Sequence, residues 1–446
     1  MTDAKDEIGK NAENCAAREV QNQLTATDVN QVAVVGSSIN PSPIQKLEID
    51  CLEELFEWLS IANLRVLRQT CKRLKGVVDY FIKSNYPSVQ FGFGPIKLYT
   101  EKIYKLRELD SASRKLIKQI TLWTEEPDEI SSIRDILPQL ERFEIGNSCQ
   151  FHGDFYKSVL KWCTNLKNLS IRDIAVDKVI GDENDWLHSE YPLIKHIELD
   201  DSDIGGPGNA WEIPELKIFF EKNPQIQSFS TTFHFLWENR ECYLDSNIKL
   251  DQLNIQGDCY LEHGMDRICG LLNTLYEQGF YRRVHMHASF IYEQEDWDQI
   301  LSVRGMEKLY LVSVGIDIKF PPMSNLREFG TKFGSQLGDY ETIAKNLVNV
   351  ERIYFYQMKS DTFIPFMRFA PRVEEIKIDN LCEGIYFNDG IINLTALNEE
   401  RKTLNRARKI TIYVKENVFL ATKWATKSTE LDLITLKRIE ATSSIF

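Results

Sequence analysis

No apolar run in this chain is long enough to cross a bilayer, so no membrane-spanning helix is expected. The opening stretch, MTDAKDEIGKNAENCAAREV, lacks the apolar core of a secretory signal, which speaks against secretion. Its cysteines are odd in number and show no C-x-x-C spacing: Cys15, Cys51, Cys71, Cys149, Cys163, Cys242, Cys259, Cys269 and Cys382. Most stand in apolar or helical surroundings, as buried thiols do. This excludes a disulfide framework and gives no zinc ligand set, and it points to a reducing compartment, cytosol or nucleus. Positive charge is in short supply. Against 66 Asp and Glu there are 53 Lys and Arg, and a net charge of −13 opposes general binding to nucleic-acid phosphates. None of G-x-S-x-G, H-E-x-x-H, G-x-x-x-x-G-K-S/T or G-x-G-x-x-G occurs. The glycine-rich Gly205-Gly206-Pro207-Gly208 is flanked by acids and makes a poor phosphate cradle. A thiol nucleophile at Cys242 or Cys259 has no supporting spacing. His285 and His287 share a strand face, but Gln252, Asn254, Lys308 and Tyr310 offer no further metal ligand in line. No cofactor is expected.

What is present begins after a polar leader. Residues 1–43 carry no sustained apolar period and end in Asn40-Pro41-Ser42-Pro43, and they read as disordered. Residues 44–82, IQKLEIDCLEELFEWLSIANLRVLRQTCKRLKGVVDYFI, then give two amphipathic helical patterns joined by a short polar break. Leu47, Cys51, Leu52, Leu55, Phe56 and Leu59 fall on one helical face. Ser60 sits where an N-cap belongs, and Leu64, Leu67, Cys71, Leu74 and Val78 continue at steps of three and four. About forty residues are too few to bury so many apolar side chains among themselves, so a docking module is expected. Lys72-Arg73-Leu74-Lys75 reads as the solvated face of this module rather than as a nuclear signal.

This segment resembles the F-box, the helical motif that joins a substrate receptor to a cullin-based (SCF) ubiquitin ligase through an SKP-type adaptor. Leu47 matches the opening leucine, Cys51-Leu52 the next apolar pair and Leu55-Phe56 the Ile-Phe pair. Leu59-Ser60 matches the end of that helix, Leu64 follows, and Thr70-Cys71-Lys72-Arg73 matches the closing signature. Glu48 replaces the usual proline and Asn63 the usual capping aspartate. The first change loosens the turn, and the second keeps an acceptor without its charge. The resemblance implies an adaptor-facing set of Leu47, Cys51, Leu52, Leu55, Phe56, Leu59 and Leu64. It requires Leu52 and Phe56 to be left uncovered by the chain's own body.

Residues 83–114 read as a linker and N-terminal cap, with turn signals at Asn85-Tyr86-Pro87 and Gly92-Phe93-Gly94-Pro95 and a helix over 99–116. From about residue 115 to 446 one pattern returns: apolar-x-x-apolar-x-apolar, followed by a helical stretch. Its copies begin at Ile117, Leu140, Leu166, Ile194, Ile226, Leu250, Tyr281, Met306, Leu326, Val350 and Val373, with weaker ones at Ala407 and Leu431. Their spacing is that of leucine-rich repeats, somewhat stretched. Helices are expected over 154–163, 214–222, 265–277, 293–302, 340–346, 362–369, 394–407 and 417–426. The expected fold is α/β: a leucine-rich-repeat solenoid, a horseshoe with parallel strands inside and helices outside, after a small helical F-box module. So many strands exceed an ordinary doubly wound sheet, and no glycine-rich phosphate turn follows any of them. The Asn or Cys that usually closes the repeat strand is mostly missing, so a buried amide ladder is expected to be irregular or absent.

The third, fifth and seventh residues of each pattern point away from the helices. Early copies are acidic and polar there, later ones basic and aromatic. Arg283, Lys308, Tyr310, Arg352, Tyr354 and Tyr356 form the candidate substrate patch, suited to an acidic or phosphorylated segment. The reading is a non-catalytic substrate-recognition subunit of an SCF-type ligase, cytoplasmic or nuclear, binding an SKP-type adaptor and through it a cullin. The alternative is a repeat scaffold outside ubiquitination, with an enzyme a distant third.

Overall fold

The computed structural model describes residues 44–439 except 45–46, 58, 60, 86–87, 94–113, 116, 125–133, 147–152, 175–185, 202–212, 258–263, 316–317, 334–338, 359–361, 363, 382–389 and 427. The leader, nearly all of the expected 99–116 helix and the Gly205–Gly208 loop lie outside the described residues.

Ahead of the sheet stand three helices, α1 (Ile49–Glu57), α2 (Ile61–Thr70) and α3 (Lys72–Asn85). The second of the two expected helical patterns is therefore broken in two. Cys71 is the break. Its carbonyl accepts from Lys75 N at 2.9 Å and its Sγ from Leu74 N at 3.5 Å, as an N-cap side chain does.

The remainder is one sheet of fourteen strands in chain order, each paired in parallel with its sequence neighbours. These are β1 (Ser88–Phe93), β2 (Gln119–Thr124), β3 (Arg142–Gly146), β4 (Asn168–Ile174), β5 (His196–Asp201), β6 (Ser228–Thr232) and β7 (Leu250–Gly257). They continue as β8 (Tyr281–Ile291), β9 (Met306–Val314), β10 (Glu328–Phe333), β11 (Arg352–Met358), β12 (Glu375–Leu381), β13 (Ile410–Val414) and β14 (Ile434–Arg438). Helices stand between them: α4 (Gly153–Leu160), α5 (Glu215–Lys222), α6 (Phe233–Glu238), α7 (Arg240–Leu244), α8 (Met265–Glu277), α9 (Gln294–Leu301), α10 (Tyr340–Asn346), α11 (Ile364–Phe369), α12 (Leu394–Lys402) and α13 (Glu416–Thr426). This is an α/β solenoid. Within the stretch read as linker and N-terminal cap, β1 pairs in parallel with β2, Val89 opposite Ile120 and Phe91 opposite Leu122.

The apolar residues of the pattern face the helices. Phe229 on β6 meets Phe220 on α5 edge-on at 5.3 Å between ring centres, and Phe355 on β11 meets Phe366 on α11 at 5.4 Å. Register follows the pattern from Ile120 through Phe143, Leu169, Ile197, Phe229 and Leu253 to Val284. Two offsets depart from it. Val284 pairs with Met306 rather than Leu309, with an irregularity before His285, so that Met286 then pairs with Leu309. Ile376 pairs with Ile412 rather than Ile410. The first offset is three residues before the irregularity and two after it, and the second is two; an even shift keeps the side chains that follow on their expected face.

Amides tie the repeats together, but not from the strand end. The residue just before the first apolar position donates to a carbonyl of the preceding repeat: Gln139 to Ile117 at 3.1 Å, Asn165 to Pro138 at 2.7 Å, Gln225 to Tyr191 at 2.6 Å and Asn349 to Ser324 at 2.6 Å. Asn223, fully buried, accepts from Tyr191 N and donates to Ser189 O. The backbone repeats a further device: the carbonyls of Lys118, Glu141, Lys167, Lys195 and Gln227 each accept two N–H groups from the start of the next strand.

Candidate interaction surfaces

The seven residues assigned to an adaptor surface divide by burial. Leu52, Phe56 and Leu64 are at most 1% exposed, Leu47 and Leu59 are half-buried, and Cys51 and Leu55 are exposed. The expectation that Leu52 and Phe56 stand uncovered is wrong. The cause is the third helix. α3 supplies Leu74, Val77, Val78 and Phe81, all buried, and Phe81 meets Phe56 edge-on at 5.5 Å. Leu52, one turn before Phe56 on the same helical face, is buried with it. Outside that packing Cys51 and Leu55, one turn apart on α1, are exposed, and so are Ile49 (50%) on α1 and Val66 (62%) on α2.

On the sheet, the face opposite the helices carries rows of side chains set by the register. One row runs Lys308, Glu328, Arg352 and Glu375 across β9–β12. The next runs Tyr310, Gly330, Tyr354, Lys377 and Tyr413 across β9–β13. Glu328 is the hub of the first row. Only 2% exposed, its Oε1 takes Lys308 Nζ at 2.8 Å and Arg352 through Nε at 2.8 Å and through a terminal nitrogen. Its Oε2 accepts from the Tyr310 hydroxyl at 2.9 Å. Burial alone pushes the Glu328 carboxyl up, but the bonds from Lys308, Arg352 and Tyr310 hold it below the ordinary carboxylate value. Tyr310 leans over β10 because Gly330 has no side chain; a Cβ there would stand 2.3 Å from Tyr310 Cδ1. Tyr310 and Tyr354 rings lie 5.7 Å apart, and Lys377 Nζ sits over Tyr354 at 5.4 Å and over Tyr413 at 5.6 Å.

The candidate substrate patch is thus assembled in part. Lys308, Tyr310, Arg352 and Tyr354 gather around Glu328, and Tyr356 lies one step along β11 beneath Lys332 at 6.0 Å. Arg283 is apart from them, paired with Glu307 at 3.6 Å. The patch is not the unopposed positive surface that the sequence implied, because Glu328 takes both central cations. Glu328, Lys377 and Tyr413 were missing from the candidate set. Their signal was in the sequence, since residues at equal positions in successive copies become cross-strand neighbours.

The early strands hold the inverse arrangement. Arg172 on β4 lies between Glu144 (3.5 Å) on β3 and Glu198 (3.3 Å) on β5, and the Ser170 hydroxyl donates to Glu198 at 2.8 Å. His285 is half-buried beside Lys308, and the partial burial and then the neighbouring charge push its imidazole down to about 3. Its Nε2 has no hydrogen-bond partner among the described residues. Among the described residues no group of three metal-binding side chains converges, and no helix is long and apolar enough to cross a membrane.

Comparison with known proteins bears on one part of this geometry. Residues 44–84 match the F-box domain. The match covers α1, α2 and all but the last residue of α3, and it includes Ile49, Cys51, Leu55 and Val66. No curated protein matches the chain. Among solved structures, the yeast Rad7 and Elc1 complex includes a chain with 10% identity and a TM-score of 0.33 over 98% of each chain, a likeness too low to carry an argument.

Proposed function

We propose that this protein is a non-catalytic substrate receptor of an SCF-type ubiquitin ligase, working in the cytoplasm or nucleus. Its F-box binds an SKP-type adaptor and through it a cullin, and the helix-free face of the repeat sheet holds a protein target. The F-box match over residues 44–84, with apolar side chains left outside its own core, carries this reading. Contact with the adaptor falls to Cys51 and Leu55, one turn apart on α1, while Leu52, Phe56 and Leu64 hold the module together. Target modification is left to other subunits.

Co-purification of the full chain from cells tests it. Wild type is expected to recover adaptor and cullin, and Cys51→Asp with Leu55→Asp to recover neither while melting at the wild-type temperature. Phe56→Ala opens a cavity costing about 3–5 kcal/mol and loses the adaptor through unfolding of the segment, seen as a lowered melting temperature. Recovery of adaptor without cullin would favour a scaffold outside ubiquitination. Undiminished adaptor recovery by the double variant would remove this surface from the contact.

A further inference from the structure

We infer that the target-binding face over β9–β13 recognises an extended, carboxylate-rich segment, reading several single acidic side chains in a row rather than one phosphate. The inference rests on the receptor reading above and names the chemistry of its target.

The charges decide between the two anions. A phosphate is held where two or more cations converge on a point. This face has one such point, at Lys308 and Arg352, and the chain's own Glu328 carboxylate fills it, almost fully buried and bonded through both oxygens. The cations beyond it stand apart: Lys332 on β10, Lys377 on β12 and Lys415 just past the end of β13. Neighbouring strands lie about 4.8 Å apart, so these charges form a spaced series. A chain crossing the strands would meet them one after another, as an extended peptide carrying acids at intervals does.

The same face supplies the rest of a peptide surface. Tyr310 presents a ring held by packing rather than free to rotate, since it is bonded to Glu328, leans over Gly330 and lies 5.7 Å from the largely buried Tyr354 ring. Lys377 is held between Tyr354 and Tyr413 with Glu375 at 3.5 Å, a longer contact than those that fill the Glu328 point, and Lys415 Nζ donates to Asn380 at 2.9 Å. Cations restrained in this way lose less freedom on binding. From β9 to β13 the face shows Lys308, Lys332, Arg352, Lys377 and Lys415 against Glu328, Glu375 and Asp379, a local positive surplus on a chain of net charge −13. That contrast favours an acidic partner here and repels it elsewhere on the molecule.

The test is fluorescence anisotropy with the full chain and labelled synthetic peptides. One alternates glutamate with glycine; the second replaces the glutamates by a single phosphoserine; the third has glutamines throughout. The glutamate peptide is expected to bind, to weaken with added salt and to outbind the other two. Lys332→Glu and Lys377→Glu should each weaken it about tenfold, while Lys332→Arg and Lys377→Arg keep it. Glu328→Gln vacates the convergent point, so that variant alone should take the phosphoserine peptide more tightly than wild type does. Equal binding of the glutamine peptide, tighter binding of phosphoserine by wild type, or indifference to both charge reversals in a variant of normal melting temperature overturns the inference. Adaptor recovery in the same preparations separates the outcomes. Its loss refutes the receptor reading and leaves the peptide result standing, and the converse holds equally.

Discussion

At the scale of single residues, the helix-free face stores its specificity in buried charge. Glu328 and His285 sit one strand to either side of Lys308 and respond to pH in the same direction. An unfolded chain binds a proton on imidazole near 6.5, whereas His285 in the fold does so only near 3, because of burial and then of Lys308. Between those values the unfolded state carries the extra proton, so stability falls as pH drops through that window. His287 and His196, also pushed down by burial, add to the slope. Glu328 titrates below its ordinary 4.5, so the stabilisation from its ionised form is complete above 4.5 and disappears as pH falls through the folded value. Urea midpoints measured at successive pH values should therefore decline from pH 6.5 downward in wild type. His285→Gln should flatten the upper part of that decline, and Glu328→Gln only the part below 4.5. A His285→Gln profile parallel to wild type would show that this imidazole does not titrate as argued. Gly330 belongs to the same scale. Gly330→Ala drives Tyr310 off β10 and should cost about 1–3 kcal/mol. The loss should shrink when Tyr310→Ala is added, a coupling that a double-mutant cycle in urea measures directly.

At the scale of elements, what holds each repeat to the next is side-chain hydrogen bonding to backbone, and Arg401 is its extreme case. It lies on α12, fully buried, with no ion-pair partner among the described residues. Instead it donates to the carbonyls of Ala370 at 2.7 Å, Pro371 at 3.0 Å and Val373 at 3.1 Å, just past α11, and to Arg408 at 3.2 Å. Carbonyls beyond a helix C-terminus carry partial negative charge and favour a cation. Burial lowers the guanidinium to about 10, which still leaves it charged at neutral pH. Arg401→Leu strands those acceptors and should cost about 3–5 kcal/mol, read as a lower urea midpoint with α1–α3 unaffected. Nothing in the sequence pattern marked Arg401, because its partners are backbone groups some thirty residues away. α8 and α10, by contrast, were legible to the residue: their apolar period starts after Gly264 and Asp339 and nothing interrupts it. α6 and α7 were not, since PheHisPheLeuTrp reads as a continuation of β6 until Thr232 caps it through Phe235 N. The split at Cys71 escaped for a related reason: the three-and-four spacing continues across it unbroken. Inward and outward positions were recovered because a two-residue slip preserves them, and the Lys308–Glu328–Arg352 row was there to be read, while burial within α1–α3 was not, since it depended on a third helix.

At the scale of the whole molecule, a sheet whose strands pair only in chain order spreads its stability locally. Every strand of β2–β13 touches two neighbours and no others. A stack of this kind behaves as a sum of units and nearest-neighbour interfaces, so damage at one place travels a short way. Even the last strand follows this logic: β14 has its open edge folded under by an antiparallel bridge between Glu430 and Thr435, closed by Leu436 N to Thr429 O at 2.7 Å. Phe143 on β3, fully buried, sits between Ile120 and Leu169 in the apolar row. Phe143→Ala should cost about 3–5 kcal/mol, but the loss belongs to β2–β4 and the repeats they close. Hydrogen exchange followed by mass spectrometry should show faster exchange in peptides from β2–β4 and unchanged rates in β9–β13, where Glu328 and its partners stand. Target binding would then survive a core defect at the opposite end of the array. Uniform acceleration across all strands would mean that the sheet opens as one cooperative body, and the target face would then share the fate of every repeat.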